Sequence, residues 1–127
     1  MNVYTLQSHE AIERWDEIEP LLQRIETPDT PLQNVREMVR TCEAQVWCVG
    51  EPVTSVCVTK LHVTQEHKYG LLWMGAGNAS MTDYVGCIEA WMREKGCKYV
   101  ELIGRRGWKK LLPDYHEHAV TLVKELT

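Results

Sequence analysis

The chain has 127 residues, a length typical of one domain that buries a single hydrophobic core. Hydrophobic residues make up 44% of it and charged residues 25%, which argues against a disordered chain and against a coiled coil. A formal net charge of −4 argues against electrostatic binding to nucleic acid or to an anionic membrane. We therefore interpret residues 1–127 as one domain whose partners are neither nucleic acids nor membranes.

The cysteines and the N-terminus indicate a cytoplasmic protein without a bound metal. An odd number of cysteines argues against a disulfide-stapled secreted protein, and no two of them have the C-x-x-C spacing of a zinc knuckle. The segment 1–10 lacks a basic region followed by an apolar stretch, and no apolar run approaches the ~20 residues that span a bilayer. We expect free cysteines that pack as small hydrophobes, with Cys87 and Cys97 buried.

The N-terminal part of the chain predicts a short strand and two helices. Residues 3–6 are β-prone, and Ser8 precedes a helix whose apolar residues recur at helical spacing. Pro20 predicts a kink in this helix, because proline lacks the amide donor and clashes with the preceding turn. The proline-containing run 27–31 ends the first helix, and a second one begins at Leu32.

The rest of the chain predicts strands, with one long and one short helix between them. Segments rich in β-branched and aromatic residues predict strands, of which the first two form a hairpin. They are residues 46–49, 53–63, 69–74, 98–103 and 118–126. Residues 75–79 predict a flexible loop, 81–95 a helix that stops at Gly96, and 108–112 a short helix. The expected class is α/β (α+β), with a mixed central sheet flanked by helices on both faces.

This order of elements, together with two short runs, carries a family resemblance. The runs are Ala90–Cys97 (AWMREKGC) and Gly104–Trp108 (GRRGW). Over essentially its whole length the chain resembles the GNAT-type N-acetyltransferase superfamily. Within it, the chain is most similar to small bacteriophage-encoded proteins of unassigned function. The resemblance implies the GNAT fold and, for active members, use of acetyl-CoA.

The cofactor motif of that superfamily is half kept. In active members the strand before the central helix ends in Gln/Arg-x-x-Gly-x-Gly/Ala, and here Met74, Gly77 and Ala79 align with it. The polar leading residue is lost and the small residues remain. The resemblance implies that backbone amides of this loop bind the pyrophosphate of acetyl-CoA. The loop residues are Gly75, Ala76, Gly77, Asn78, Ala79 and Ser80.

A structural interpretation of the same loop stays open. Gly75 and Gly77 permit a tight strand-to-helix turn that needs positive φ, and Ser80 caps the helix that follows.

Three residues are candidates for acid–base chemistry, and each has a structural alternative. The resemblance implies a tyrosine as the acid that reprotonates the leaving thiolate, and Tyr115 is the tyrosine in the matching region. Its alternative is a packing role. His62, at the end of a predicted strand, and Glu66, in the next turn, are candidate general bases. Their alternative is that of solvated residues at a strand end.

The local basic cluster has three competing interpretations. It consists of Arg105, Arg106, Lys109 and Lys110. Arg105 would bind the 3′-phosphate of CoA, since guanidinium groups suit phosphate. Alternatively, the cluster pairs with an acidic protein partner, or it is a solvated helix start.

Two functions follow. The first is transfer of an acetyl group from acetyl-CoA to an amine, with amides near residues 72–74 stabilising the oxyanion. The second is a non-catalytic assembly, virion-associated or host-interaction role, through a protein partner or a homo-oligomer, on a degenerate acetyltransferase fold. An enzyme is expected to keep an open gap between its two parallel strands. A scaffold protein would fill that gap with Trp73 or Met74.

Overall fold

The computed structural model describes residues 2–104 and 108–126, and its centre is a five-stranded sheet. In chain order the strands are β1 (Val3–Leu6), β2 (Gln45–Val49), β3 (Ser55–Val63), β4 (Lys68–Gly77) and β5 (Tyr99–Leu102). The helices are α1 (Ser8–Glu13), α2 (Trp15–Leu22), α3 (Leu32–Arg40), α4 (Met81–Glu94) and α5 (Trp108–Leu111). A 3₁₀ turn, Gln23–Ile25, follows α2.

The sheet is mixed, as predicted. Its strands lie in the order β1-β2-β3-β4-β5, so each strand pairs with its neighbours in sequence. Among the first four strands each neighbouring pair is antiparallel, and β5 runs parallel to β4 after the crossover through α4. Parallel pairing begins at Tyr69 with Tyr99 and ends at Leu72 with Leu102.

Each face of the sheet builds its own core, because side chains along a strand alternate between the two faces. Helices α1, α2 and α3 pack on one face, against residues that include Val46, Val58 and Met74. Helix α4 packs on the other face, where Ile88 and Leu72 are almost fully buried. The predicted arrangement of helices on both faces is confirmed.

The first helix breaks earlier than predicted. The break lies at Arg14, whose backbone leaves helical geometry at φ −102° and ψ 18°, and Pro20 lies inside α2. The Arg14 guanidinium binds Glu17 with an Nε–Oε2 distance of 2.7 Å and Glu51, in the β2–β3 turn, with an Nη2–Oε2 distance of 2.9 Å. The helix therefore breaks at a residue that makes a tertiary contact, which helix propensity, a local property, cannot predict.

Strand β4 extends beyond its predicted end. Gly75, Ala76 and Gly77, expected in a loop, pair with Cys57, Val56 and Ser55 of β3. Small residues have weak strand propensity, but a neighbouring strand supplies the hydrogen bonds that propensity does not measure. The predicted loop is thereby reduced to residues 78–80.

The predicted final strand is wrong. Residues 118–126 have no regular secondary structure and are exposed throughout. Alternating β-branched residues form a strand only beside another strand, because an unpaired strand leaves its backbone groups without partners. The structure places no described strand next to this segment.

Burial of the cysteines agrees only in part with the prediction. Cys48 and Cys57 are buried on opposite faces of the sheet, and burial raises the pKa of each thiol to about 12. Cys97 is half-buried. Cys87, expected in the core, is exposed, because it lies on the side of α4 that faces away from the sheet.

Gly77 provides a test of the β3–β4 contact. Its φ is +122°, and a Cβ at this position would lie within 3.0 Å of the Ser55 backbone and of the Thr54 carbonyl oxygen. We expect Gly77→Ala to lower the free energy of unfolding by about 2 kcal/mol or more, measured by guanidinium denaturation. Gly86→Ala is the matched control, since no atom lies within 4 Å of a Cβ there. It should be neutral or stabilise the protein by up to about 1 kcal/mol. Equal midpoints for both variants would contradict this packing.

Candidate functional site

A bulge in β4 creates the central feature of the site. Val58 of β3 pairs with Met74 and Thr59 pairs with Leu72, so Trp73 is the extra residue between them. A bulged residue is left out of the ladder, and the strand bends locally. Residues two apart normally share a face, yet here Leu72 enters the α4 core and Met74 the opposite core. Trp73 therefore has no register partner in β3 at the middle of the sheet.

The two parallel strands part at the same place. Leu72 is the last residue of β4 that pairs with β5, whereas β4 continues to Gly77. A cavity of about 230 Å³ opens there, between Trp73, Met74 and Gly75 on one side and Leu102 and Ile103 on the other. Met81, Trp108, Ile25 and Thr30 complete its walls together with Leu72. The gap is open, although Trp73 and Met74 line it.

The described side chains that line this cavity are mostly apolar. Thr30 carries the one side-chain hydroxyl among the described lining residues, and its Oγ1 lies 2.7 Å from Oγ1 of Thr27. None of the described lining residues is ionisable. The volume is below the roughly 300–1,000 Å³ typical of small-molecule sites. The polar groups of the described lining are therefore the main chain, the Thr30 hydroxyl and the indole N–H groups of Trp73 and Trp108, and none of them is charged.

The loop between β4 and α4 uses its amides internally. The Asn78 N–H donates to the Thr54 carbonyl oxygen at 3.3 Å, and the Ala79 N–H donates to Ser55 Oγ at 2.7 Å. The Ser80 N–H donates to Asp83 Oδ2 at 3.1 Å. The amides expected to contact a pyrophosphate are thus bound to acceptors of the chain itself.

A carboxylate already occupies the N-terminus of α4. Ser80 and Asp83 form a capping box, in which each side chain accepts a hydrogen bond from the other residue's backbone. The positive end of the helix dipole, where phosphates commonly bind, therefore faces a negative charge of the protein. The sequence signal was available, because Ser-x-x-Asp before a helix is a capping pattern. The sequence-based prediction includes the cap at Ser80 but not its partner Asp83.

Tyr115 lies against α4 and does not line the cavity. Its hydroxyl donates to Glu89 Oε2 at 2.5 Å, and the ring packs in the core beneath α4. Burial, and then the hydrogen bond to the Glu89 carboxylate, raise the pKa of the Tyr115 hydroxyl well above its usual value of about 10.

His62 and Glu66 lie at the other end of β4. His62 stacks on Tyr69, which pairs with it across the β3–β4 ladder, at a ring-centroid distance of 5.1 Å. Glu66 lines a shallow depression together with Tyr69 and Tyr99. At about 3.3 Å per strand residue, Tyr69 is on the order of 15 Å from Met74. The structure thus does not bring these two candidate bases to the gap between β4 and β5.

The predicted cofactor residues are spread along the strand end and the following turn. Gly75 lines the cavity, Ala76 and Gly77 belong to the β3–β4 ladder, and residues 78–80 surround the start of α4. Arg105 lies outside the described residues. The functional feature that sequence reasoning missed is the bulge at Trp73, since neighbouring residue types do not indicate a register shift.

The described residues form neither a metal-binding cluster nor a membrane-spanning helix. Residues 2–104 and 108–126 contain no group of three or more His, Cys, Asp or Glu side chains arranged to hold a metal ion. No helix in the same ranges has both the length and the apolar character needed to cross a bilayer.

Comparison with solved structures identifies the fold. An aminoglycoside acetyltransferase from an uncultured soil metagenomic sample superposes with a TM-score of 0.72 at 11% identity, covering 99% of this chain and 96% of that one. A GNAT family acetyltransferase of Staphylococcus aureus gives 0.70 at 10% identity, covering 98% of both chains. A Trypanosoma brucei acetyltransferase gives 0.67 at 14% identity, covering 98% of this chain and 99% of that one.

These likenesses, which cover nearly the full length of the chains, show that the chain has the fold of the GNAT-family acetyltransferases. No protein-family model and no curated protein matches the sequence. At 10–14% identity the likeness is one of fold, and function has to be argued from the site.

The hydrogen bond between Tyr115 and Glu89 provides a test of the position of Tyr115 against α4. We expect Tyr115→Phe to lower the free energy of unfolding by about 1–2 kcal/mol near neutral pH, because a half-buried carboxylate loses its donor. Because the pKa of Tyr115 is higher in the folded protein than in the unfolded chain, Tyr115 contributes its full stabilisation below about pH 10. Above that pH the tyrosine ionises in the unfolded chain first, and the stabilisation decreases. Denaturation midpoints from pH 7 to 11 measure both effects. The difference between wild type and variant should narrow above pH 10; a constant difference would place Tyr115 elsewhere.

Proposed function

We propose that the chain binds the acyl-thioester end of acetyl-CoA in the gap between β4 and β5. The observation that carries the proposal is the bulge at Trp73, which leaves this residue out of the β3–β4 register at the point where the two strands part. An apolar cavity adjoins it, and the proteins that share the fold are acetyltransferases. We place this binding in the cytoplasm, where the acyl donor is available.

The chemistry this arrangement supports is acetyl transfer to an amine. A backbone N–H at the bulge would hydrogen-bond the thioester carbonyl and stabilise the oxyanion that forms on attack. The amine nitrogen forms the new C–N bond and releases one proton, the C–S bond breaks, and the departing thiolate takes up a proton, so that an amide and free CoA thiol result. Because the described lining residues include no acid or base, the rate would depend mainly on positioning and on amine that arrives unprotonated.

The predicted acid and bases contribute to this scheme only after rearrangement. Tyr115 holds its proton strongly, but it would have to leave Glu89 to reach a thiolate in the gap. His62 and Glu66 lie at the opposite end of β4. We therefore propose acyl-CoA binding as the principal property and slow transfer as its consequence.

A non-catalytic role is the second candidate, and a specific observation favours it. The amides of residues 78–80 are all bound within the chain, and Asp83 occupies the helix terminus that would attract phosphate. Such a chain would act as an assembly, virion-associated or host-interaction protein, consistent with its resemblance to bacteriophage-encoded proteins. In that case the gap between β4 and β5 is a remnant of the fold.

Calorimetric titration with acetyl-CoA and with CoA distinguishes the two candidates. We expect micromolar to sub-millimolar binding of acetyl-CoA, lost in Gly75→Val. Gly75 lines the cavity, and the atoms nearest to a Cβ there would be Tyr84 Oη at 3.3 Å, Met81 Cε at 3.4 Å and the Val56 carbonyl oxygen at 4.0 Å. The fold should therefore survive, which circular dichroism checks, and Gly86→Ala is the glycine control outside the cavity. Binding that Gly75→Val leaves intact would place the ligand elsewhere, and no heat at millimolar acetyl-CoA would favour the non-catalytic role.

Asp83 provides a second test, of where the cofactor phosphates bind. Asp83→Asn keeps a side-chain oxygen for the Ser80 N–H and removes the negative charge at the start of α4. If the pyrophosphate binds there, the affinity for CoA should rise about two- to fivefold, the effect of one charge at a helix terminus. Glu94→Gln, at the last residue of α4, is the matched control and should leave the affinity unchanged. An unchanged or lower affinity in Asp83→Asn would rule out this phosphate position.

A further inference from the structure

A row of aromatic rings crosses the sheet at the end opposite the gap between β4 and β5. His62, Tyr69 and Tyr99 are partners in the register of β3, β4 and β5. The centroid of the Tyr69 ring lies 5.1 Å from that of His62 and 5.0 Å from that of Tyr99, and the ring planes are inclined by 24° and 10°. Tyr99 ends the row on the last described strand of the sheet and keeps 39% of its full accessible surface, so a ligand can reach it from solvent.

The turn between β3 and β4 adds a third ring beside the two tyrosines. The His67 ring is inclined by 52° to Tyr69 and by 55° to Tyr99, at centroid distances of 6.3 and 5.2 Å. The Thr64 hydroxyl fixes this turn, because it donates to the His67 carbonyl oxygen at 3.0 Å and accepts the His67 N–H at 3.1 Å. Rings of two orientations therefore meet at a corner that the backbone holds in place.

This corner belongs to a depression large enough for a small molecule. Its volume is about 500 Å³, within the roughly 300–1,000 Å³ typical of small-molecule sites. Glu66 carries the formal charge among the lining residues, with histidine taken as neutral. The depression lies on the order of 15 Å from Met74 and is therefore separate from the cavity at the gap. The lining residues are Thr64, Gln65, Glu66, His67, Tyr69 and Tyr99.

A second carboxylate adds to the negative charge at this place. Glu101 lies two residues beyond Tyr99 in β5, so the two side chains share a face of the sheet. Burial, and then interactions with Tyr69 and with the Glu101 charge, raise the pKa of the Tyr99 hydroxyl. The ammonium of Lys68 is turned away from the rings, since its Nζ donates to the Lys95 carbonyl oxygen at 2.9 Å.

Two further lysines do not reverse the sign of this charge. The Lys60 ammonium lies 3.8 Å from the centroid of the Trp73 ring, on the order of 13 Å along β4 from the depression. Lys98 immediately precedes β5, and its single positive charge is outweighed by the two negative charges of Glu66 and Glu101. The site therefore combines aromatic faces with a net negative charge.

We propose that this depression binds a small organic ammonium cation of the class of choline and tetramethylammonium. The faces of aromatic rings attract such cations, and the two carboxylates add Coulombic attraction. A neutral planar ligand could use the same faces but would gain nothing from the carboxylates, and an anion would be repelled by them. A metal ion needs several ligating side chains, and residues 2–104 and 108–126 group no three of the required types.

Calorimetric titration with choline tests the proposal, and the matched ligand is the neutral alcohol in which carbon replaces the choline nitrogen. We expect a dissociation constant of about 1 mM or lower for choline, and binding of the alcohol at least about tenfold weaker, because the two ligands differ only in charge. No acyl donor is present, so the result is independent of acetyl-CoA binding. Equal affinities for the two ligands would overturn the proposal.

Variants assign the binding to the rings and to the charge. Tyr99→Leu should weaken choline binding at least about tenfold, whereas Tyr99→Phe, which keeps the ring, should stay within about twofold of the wild type. Glu66→Gln should weaken binding about two- to fivefold, since Glu66 is exposed and its charge is screened. Glu13→Gln, exposed on α1, is the charge control and should bind as the wild type does. Unchanged affinity in Tyr99→Leu would contradict the proposed site; circular dichroism checks that each variant is folded.

Nuclear magnetic resonance locates the cation, and vesicles distinguish its source. Amide shifts of residues 64–69 and 99–101 should change with choline, and those of residues 74–77, at the gap, should not. Vesicles of phosphatidylcholine should not co-sediment the protein, because the proposed ligand is the free cation. The absence of shifts at about 20 mM choline, shifts confined to the gap, or vesicle binding without binding of free choline would each overturn the proposal.

Discussion

The pairing of β3 with β4 is the constraint on which the rest of the structure depends. Its register steps by one residue at Trp73, and that step directs Leu72 into the core under α4 and Met74 into the core under α1–α3. Since side chains alternate strictly along a regular strand, an unbulged β4 would send both to the same face. The bulge therefore supplies both cores and, at the same position, the opening between β4 and β5.

The same ladder determines where α4 begins. Gly77 lies so close to Ser55 that only a glycine fits, and the Ser55 hydroxyl then accepts the amide of Ala79. Thr54 accepts the amide of Asn78, and Asp83 closes the first turn of the helix. These bonds stabilise the turn because a buried or half-buried amide without a partner is costly. They also occupy the N–H groups of residues 78–80, so that these donors are not available to a phosphate although the loop lies beside the gap between β4 and β5.

Much of the fold was predictable, and the failures have identifiable physical causes. The strands predicted at residues 46–49 and 53–63 and the helix predicted around Ile88 are present, with β3 beginning two residues later than predicted, at Ser55. Arg14 breaks the first helix while binding Glu51, a residue far along the chain, and no local pattern contains that contact. Cys87 was misplaced because an apolar residue type does not show which side of a helix faces the sheet. The family resemblance predicted a gap between the two parallel strands, and of the aligned motif residues only Met74 lines the cavity that lies there, whereas the positions of His62 and Glu66 depended on strand direction.

The sequence by itself determined the order of the elements as far as the short helix at residues 108–111, the mixed sheet with helices on both faces, and the small residues at the end of β4. These follow from periodicity and residue size, which are local properties. Only the tertiary structure decided the bulge at Trp73, the internal use of the loop amides and the exposure of residues 118–126. The physical reason is that a hydrogen bond or a buried surface involves two segments together, and whether a strand edge is paired depends on which segment lies beside it.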